Sequence, residues 1–122
     1  AIDLGQIEGG FVQGMGWLTS EELVYSSAGE LLTHGLSTYK IPTATDRPEM
    51  NIHLWDVANP REMLYQSKAV GEPPFMLAIS VHSAICHAVS SVSSDSQFWP
   101  QLNAPATPQE ILRCVQCAAH GS

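Results

Sequence analysis

The chain has 122 residues, enough for one domain. Its net charge is −7, and its five cations (Lys40, Arg47, Arg61, Lys68 and Arg113) are scattered, so a nucleic-acid or anionic-membrane partner is excluded for want of a basic patch. Charged residues make up 14%, against about a quarter in ordinary soluble domains, which predicts a piece of something larger whose surface is covered by further chain; the alternative is a compact domain with a Ser/Thr-rich surface.

No run of roughly eighteen apolar residues is free of polar breaks, so no transmembrane helix is expected. Ala1–Gln6 lacks the basic and apolar regions of a signal peptide. The missing initial Met adds to the expectation of a fragment or a processed chain.

The first predicted element spans residues 2–18. It holds Gly5, Gly9, Gly10, Gly14 and Gly16, each costing a helix about 1 kcal/mol. Yet Gly5/Gly9 and Gly10/Gly14 are i,i+4 pairs, and Ile7, Phe11, Met15 and Leu18 repeat at helical spacing. The pattern predicts a helix with narrow faces that admit another backbone or a ligand. The alternative is a loop packed for shape alone.

Residues 21–57 read as strands. Glu22–Tyr25 and Glu30–His34 flank the turn signal Ser26-Ser27-Ala28-Gly29, a hairpin by pattern. Thr38–Pro42 is a short extended segment, Pro42–Pro48 a linker loop, and Asn51–Val57 an alternating strand.

Residues 73–92 predict a long buried helix. Pro73 and Pro74 fit its first turn, and Leu77, Ala78, Ile79, Val81, Ala84, Ile85, Ala88, Val89 and Val92 wrap most of its circumference. In the last element Thr107 as N-cap, Pro108 at N1 and Glu110 at N3 form a capping box. The expected fold is α+β over residues 1–122: a glycine-rich helix, short antiparallel strands, a long buried helix and a capped C-terminal helix.

Three cysteines, an odd number, argue against a disulfide framework. Cys114-Val115-Gln116-Cys117, with His120 beyond, lacks the second ligand pair of a zinc site. It reads as a helix end with incidental thiols. The histidines 34, 53, 82, 87 and 120 share no metal spacing, so no metal is assigned to side chains of this chain. The cytoplasm is the default location.

The segment Ser67-Lys68-Ala69-Val70-Gly71-Glu72-Pro73-Pro74 places one carboxylate at the mouth of the long apolar helix. The positive end of the helix favours its ionised form, while burial beside Gly71 and Phe75 would oppose it. That balance suits a general base near neutral pH. The plain alternative is a charge that merely supports its helix.

Four segments carry a family resemblance: Gly5-Gln6-Ile7-Glu8-Gly9-Gly10-Phe11-Val12-Gln13-Gly14-Met15-Gly16, Ser37-Thr38-Tyr39-Lys40-Ile41-Pro42, the Glu72 segment, and Ala104-Pro105-Ala106-Thr107-Pro108-Gln109-Glu110. In order and spacing they resemble the C-terminal part of the molybdenum-binding region in xanthine dehydrogenases, of the xanthine oxidase family of molybdenum hydroxylases. The resemblance implies a molybdenum–molybdopterin cofactor held with the rest of that subunit. It implies that Glu72 acts as general base on the molybdenum-bound hydroxide, whose water-derived oxygen attacks a purine carbon of xanthine or hypoxanthine. It further implies that Gln6 lies against the pterin, that Gly71 lets the backbone approach the metal centre, and that Lys68 supports the same loop.

The family's glycine-rich cofactor loop, its substrate-orienting arginine and glutamate and its aromatic sandwich have no counterpart here. Three cysteines cannot hold two 2Fe–2S clusters at about four ligands each, so iron–sulfur and FAD modules are expected elsewhere in the full enzyme, as partners beside the remainder of the subunit. The chain is not expected to be active alone. Two other readings stand: a relative acting on an aldehyde or another N-heterocycle, and a non-catalytic folding or interaction module.

Overall fold

The computed structural model of the chain describes residues 1–66, 68 and 72–120. Its helices are α1 (Ile2–Thr19), α2 (Glu72–Leu77), α3 (Ile79–Ser90) and α4 (Pro108–His120), with a short 3₁₀ turn at Leu64–Gln66. α1 packs on α2 and α3, and α3 packs on α4.

The glycine-rich segment is a helix because its small residues are used for packing. Gly14 and Gly16 are buried. A Cβ on Gly14 would press on the Phe75 carbonyl oxygen and lie 2.8 Å from Ala78 Cβ. A Cβ on Gly16 would lie 2.5 Å from Pro42 Cδ, beside the buried Glu21 carboxylate. This close approach offsets the helix propensity that glycine loses. At the end of α1, Thr19 Oγ1 donates to the Met15 carbonyl at 2.7 Å, and the Ser20 and Glu21 N–H groups both donate to the Gly16 carbonyl. Ser20 Oγ donates to the Lys40 carbonyl at 2.8 Å. Arg47 Nη2 meets Glu8 Oε1 at 2.5 Å, so the Pro42–Pro48 loop is tied to the flank of α1.

The expected strands shrink to a single bridge. Tyr25 pairs antiparallel with Leu31, Leu32 N–H donates to the Val24 carbonyl, and Ser26 N–H to the Glu30 carbonyl. Gly29 turns the chain at φ +84°, a left-handed conformation suited to glycine. Thr38 and Tyr39 donate back to the Gly35 carbonyl in a turn, which replaces the extended segment read there. Asn51–Val57 forms no ladder among the described residues, and Leu54, Trp55 and Val57 are exposed. A strand gains its stability from a partner edge, and a lone hairpin is marginal in water. The α+β expectation is corrected: among the described residues the regular structure is helical, with one isolated bridge in place of the strands.

The predicted long helix is two helices. Ala78 interrupts it, donating its N–H to Phe75 O at 3.2 Å and accepting from Val81 N–H at 2.9 Å, the tighter i,i+3 pattern. The break falls where Phe75 and Ala78 press on Gly14. Nor is the stretch buried as expected: Pro74, Ala78, Cys86 and Val89 are inside, but Met76, Leu77 and Ile79 are more than half exposed. By length and composition Glu72–Ser90 is apolar enough to cross a membrane, with mean hydropathy 1.2, which departs from the sequence expectation. Core helices of soluble proteins pass the same test.

The core joins α3 to α4 through Val89, Cys114 and Ala118, with Ile85, Phe98, Leu102, Ile111 and Val115 around them. Cys86 and Cys114 are buried free thiols, and burial pushes the Cys114 thiol up, away from the reactive thiolate. The C-x-x-C is thus part of a packing face, while the His120 side chain lies outside the described residues.

The cap of α4 forms half of the expected box. Thr107 Oγ1 accepts from Glu110 N–H at 3.3 Å, but the Glu110 carboxylate turns elsewhere. It accepts from Arg113 Nε and Nη2 at 2.8 and 2.6 Å and from Asn103 N–H at 2.8 Å. The Arg113 guanidinium and the Asn103 amide hold the Glu110 carboxyl at about 2, below its ordinary 4.5. A carboxyl depressed in the folded state adds stability above its unfolded pKa, and that increment is lost as pH falls through the folded value. Thermal melts between pH 4.5 and 2 should therefore show a fall in Tm that is smaller in Glu110→Gln. Parallel curves for the two proteins would exclude Glu110 as its source.

Candidate cofactor-binding cavity

The helical spacing of α1 gathers a second set of residues on one face. Gln6, Gly10, Gln13 and Trp17 follow at intervals of four, three and four, with Gly5 and Gly9 alongside. With Glu72 and Phe75 of α2 they line an open hollow of about 590 Å³. A Cβ built on Gly5 or Gly9 meets nothing within 4 Å, so these two glycines face space where Gly14 and Gly16 face protein. The pairs Gly5/Gly9 and Gly14/Gly16 split one helix into a ligand-accessible half and a packing half.

Two side-chain amides and one carboxylate border the hollow. Gln6 and Gln13 each both donate and accept. Glu72 opens α2 and is exposed on this hollow, contrary to the burial expected of it. Trp17 and Phe75 meet edge to face, their centroids 5.0 Å apart and their planes at 90°, and form the apolar end of the wall.

Of the residues read from the sequence, Gln6 and Glu72 are brought together on this one hollow. Lys68 is exposed and outside its lining. Gly71 lies outside the described residues. The sequence reading missed Gln13 and Trp17 as site residues and took Phe75 only as an apolar neighbour of Glu72. The signal for the first two was the helical stripe they share with Gln6.

The cavity suits a flat heterocyclic cofactor with polar edges: a glycine floor open to close approach, amides along one side, and an aromatic end. A family model described as a molybdopterin cofactor-binding domain matches residues 1–48, which include the glycine floor and Gln6. Residues 1–48 are thus similar to part of a molybdopterin cofactor-binding domain.

Its similarity to particular enzymes is more extensive. It is 46% identical over 114 residues to xanthine dehydrogenase of Dictyostelium discoideum, covering 90% of this chain and 8% of that protein. It is 48% identical over 119 residues to the xanthine dehydrogenase/oxidase of Gallus gallus, covering 94% and 9%. The fold matches the crystal structure of quinoline 2-oxidoreductase from Pseudomonas putida 86 with a TM-score of 0.74 and 29% identity, over 93% of this chain and 14% of that one. The chain spans less than a tenth of the length of the two xanthine dehydrogenases. It is similar to a segment of the molybdenum-binding region of the xanthine dehydrogenase family of oxidoreductases, as its four motifs indicated.

Proposed function

We propose that this chain forms one wall of the molybdenum–molybdopterin site of a hydroxylase acting on a purine such as xanthine or hypoxanthine. The single observation that carries the reading is the placement of Gln6 and Glu72 on one hollow floored by open glycines. When bound, the cofactor would supply the redox centre that accepts two electrons together with the ring-carbon hydrogen as the substrate's C–H bond breaks.

The chain's own residues supply recognition and proton transfer. Gly5 and Gly9 leave room for a ring system to lie against the α1 backbone, and Gln6 offers a donor and an acceptor to its edge. Glu72 accepts the proton of the water-derived oxygen nucleophile as that oxygen attacks an electrophilic ring carbon. The exposed apolar residues Met76, Leu77 and Ile79 are covered by the remainder of the molybdenum-binding subunit. Iron–sulfur and FAD modules, expected elsewhere in the enzyme, would be the route by which those electrons leave. The fold match to a quinoline 2-oxidoreductase favours a second reading, hydroxylation of another N-heterocycle. The higher identity to xanthine dehydrogenases favours the purine.

Gln6→Ala in the complete enzyme tests the cofactor wall. It should lower molybdenum content and speed cofactor loss while Tm of the cofactor-free protein stays unchanged, since the amide bonds a ligand and not the core. Unchanged molybdenum content and off-rate would remove Gln6 from the site.

A further inference from the structure

We infer that Trp17 is a positioning residue for Glu72, acting through Phe75, an inference that rests on the assignment of Glu72 as the base. α2 has only six residues, Glu72–Leu77, too short to hold an orientation by its own hydrogen bonds. Its orientation therefore depends on what it packs against. Two contacts with α1 supply this. Phe75 O and Ala78 Cβ press on Gly14, whose missing side chain admits them, and the Phe75 ring stands edge to face with Trp17 at 5.0 Å.

Phe75 lies three residues after Glu72, so the two side chains share one face of the helix, and both line the hollow with Trp17. The Gly14 contact fixes how close α2 comes to α1. The perpendicular aromatic pair opposes rotation of α2 about its own axis, the movement that would swing Glu72 along the cavity wall. Trp17 also borders a second hollow, with Glu21, Tyr39 and Pro105. Buried Glu21 stands among these residues, so the indole lies beside a packed part of the fold.

The test uses the complete molybdenum-loaded enzyme, with Trp17→Ala and Trp17→Phe each made alone and combined with Glu72→Gln. Displacing a reacting group by about 1 Å can cost up to roughly 10²-fold in rate. Trp17→Ala should therefore lower kcat by about tenfold to a hundredfold, with KM and molybdenum content unchanged. Trp17→Phe should restore most of the rate, because an aromatic edge is restored. In the Glu72→Gln background Trp17→Ala should cost nothing further, since the two residues act as one unit. Should Trp17→Ala fail to fold, Trp17→Leu keeps the bulk without the aromatic edge and carries the same expectations.

An equal fold-loss in both backgrounds would overturn the inference. So would a raised KM or lost molybdenum, which would mean that Trp17 touches substrate or cofactor directly. If Glu72→Gln alone retains normal kcat, the base assignment fails first, and the inference falls with it.

Discussion

Replacing Glu72 by Gln in the complete, molybdenum-loaded enzyme is expected to reduce kcat by about 10²–10⁴-fold. The amide keeps the shape of the side chain and one hydrogen-bonding oxygen, but it cannot take a proton at neutral pH. Because the base works on the nucleophile during attack, the loss should appear equally in kcat and kcat/KM, with purine affinity little changed. A charge that only supports its helix predicts a different result. Such a charge is worth about 0.3–1 kcal/mol, so Tm would fall slightly and turnover would persist. The exposure of Glu72 in this chain sharpens the contrast, since little of its surroundings here would be disturbed by the exchange. Molybdenum must be quantified in both proteins, so that an empty site is not mistaken for a lost base.

The second large effect belongs to Gly14. An added methyl there would be driven against the Phe75 carbonyl oxygen and Ala78 Cβ, backbone and buried atoms that cannot swing aside. Overpacking of this kind costs about 1–3 kcal/mol. The gain in helix propensity on replacing glycine by alanine, about 1 kcal/mol, offsets only part of it. Gly14→Ala should thus lower the denaturation midpoint of the protein, and it should also lower kcat, because relief requires α2, and Glu72 with it, to move off α1. Gly9, five residues earlier on the same helix, has nothing within 4 Å of its would-be Cβ and should accept even a large side chain without loss of stability. Equal stability of Gly14→Ala and the parent would show that α1 and α2 do not pack as described.

What was legible in the sequence depended on how local its cause was. α1 could be read because its glycines and its apolar residues both repeat at helical spacing. Thr107 could be read as a cap because a cap is decided within one turn. The partner of Glu110 could not: its carboxylate closes on Asn103 and Arg113, a choice made by the loop that folds back onto α4. The strands failed for the same reason in a stronger form. Alternation in Asn51–Val57 shows which residues would face a sheet, and not whether an edge is there to receive them. The helix break at Ala78 and the exposure of Met76, Leu77 and Ile79 follow from packing between α1 and α2, which one-dimensional periodicity does not contain.

The candidate site was read through motifs, so the two polar residues of the hollow that motifs single out, Gln6 and Glu72, were named. Its middle was not. Gln13 and Trp17 belong to it only because α2 is laid against that particular stripe of α1, and Gly14 is what sets the stripe.

The central claim is that the open face of α1 is the floor of the cofactor site, and Gly9→Leu tests it most directly. In the complete enzyme, molybdenum per subunit should be measured beside Tm of the cofactor-free protein. The account predicts a Tm equal to or above that of the parent, since leucine is the better helix former, together with a large loss of bound molybdenum, since its side chain fills the hollow beside Gln6. Full molybdenum occupancy with leucine at this position would contradict it.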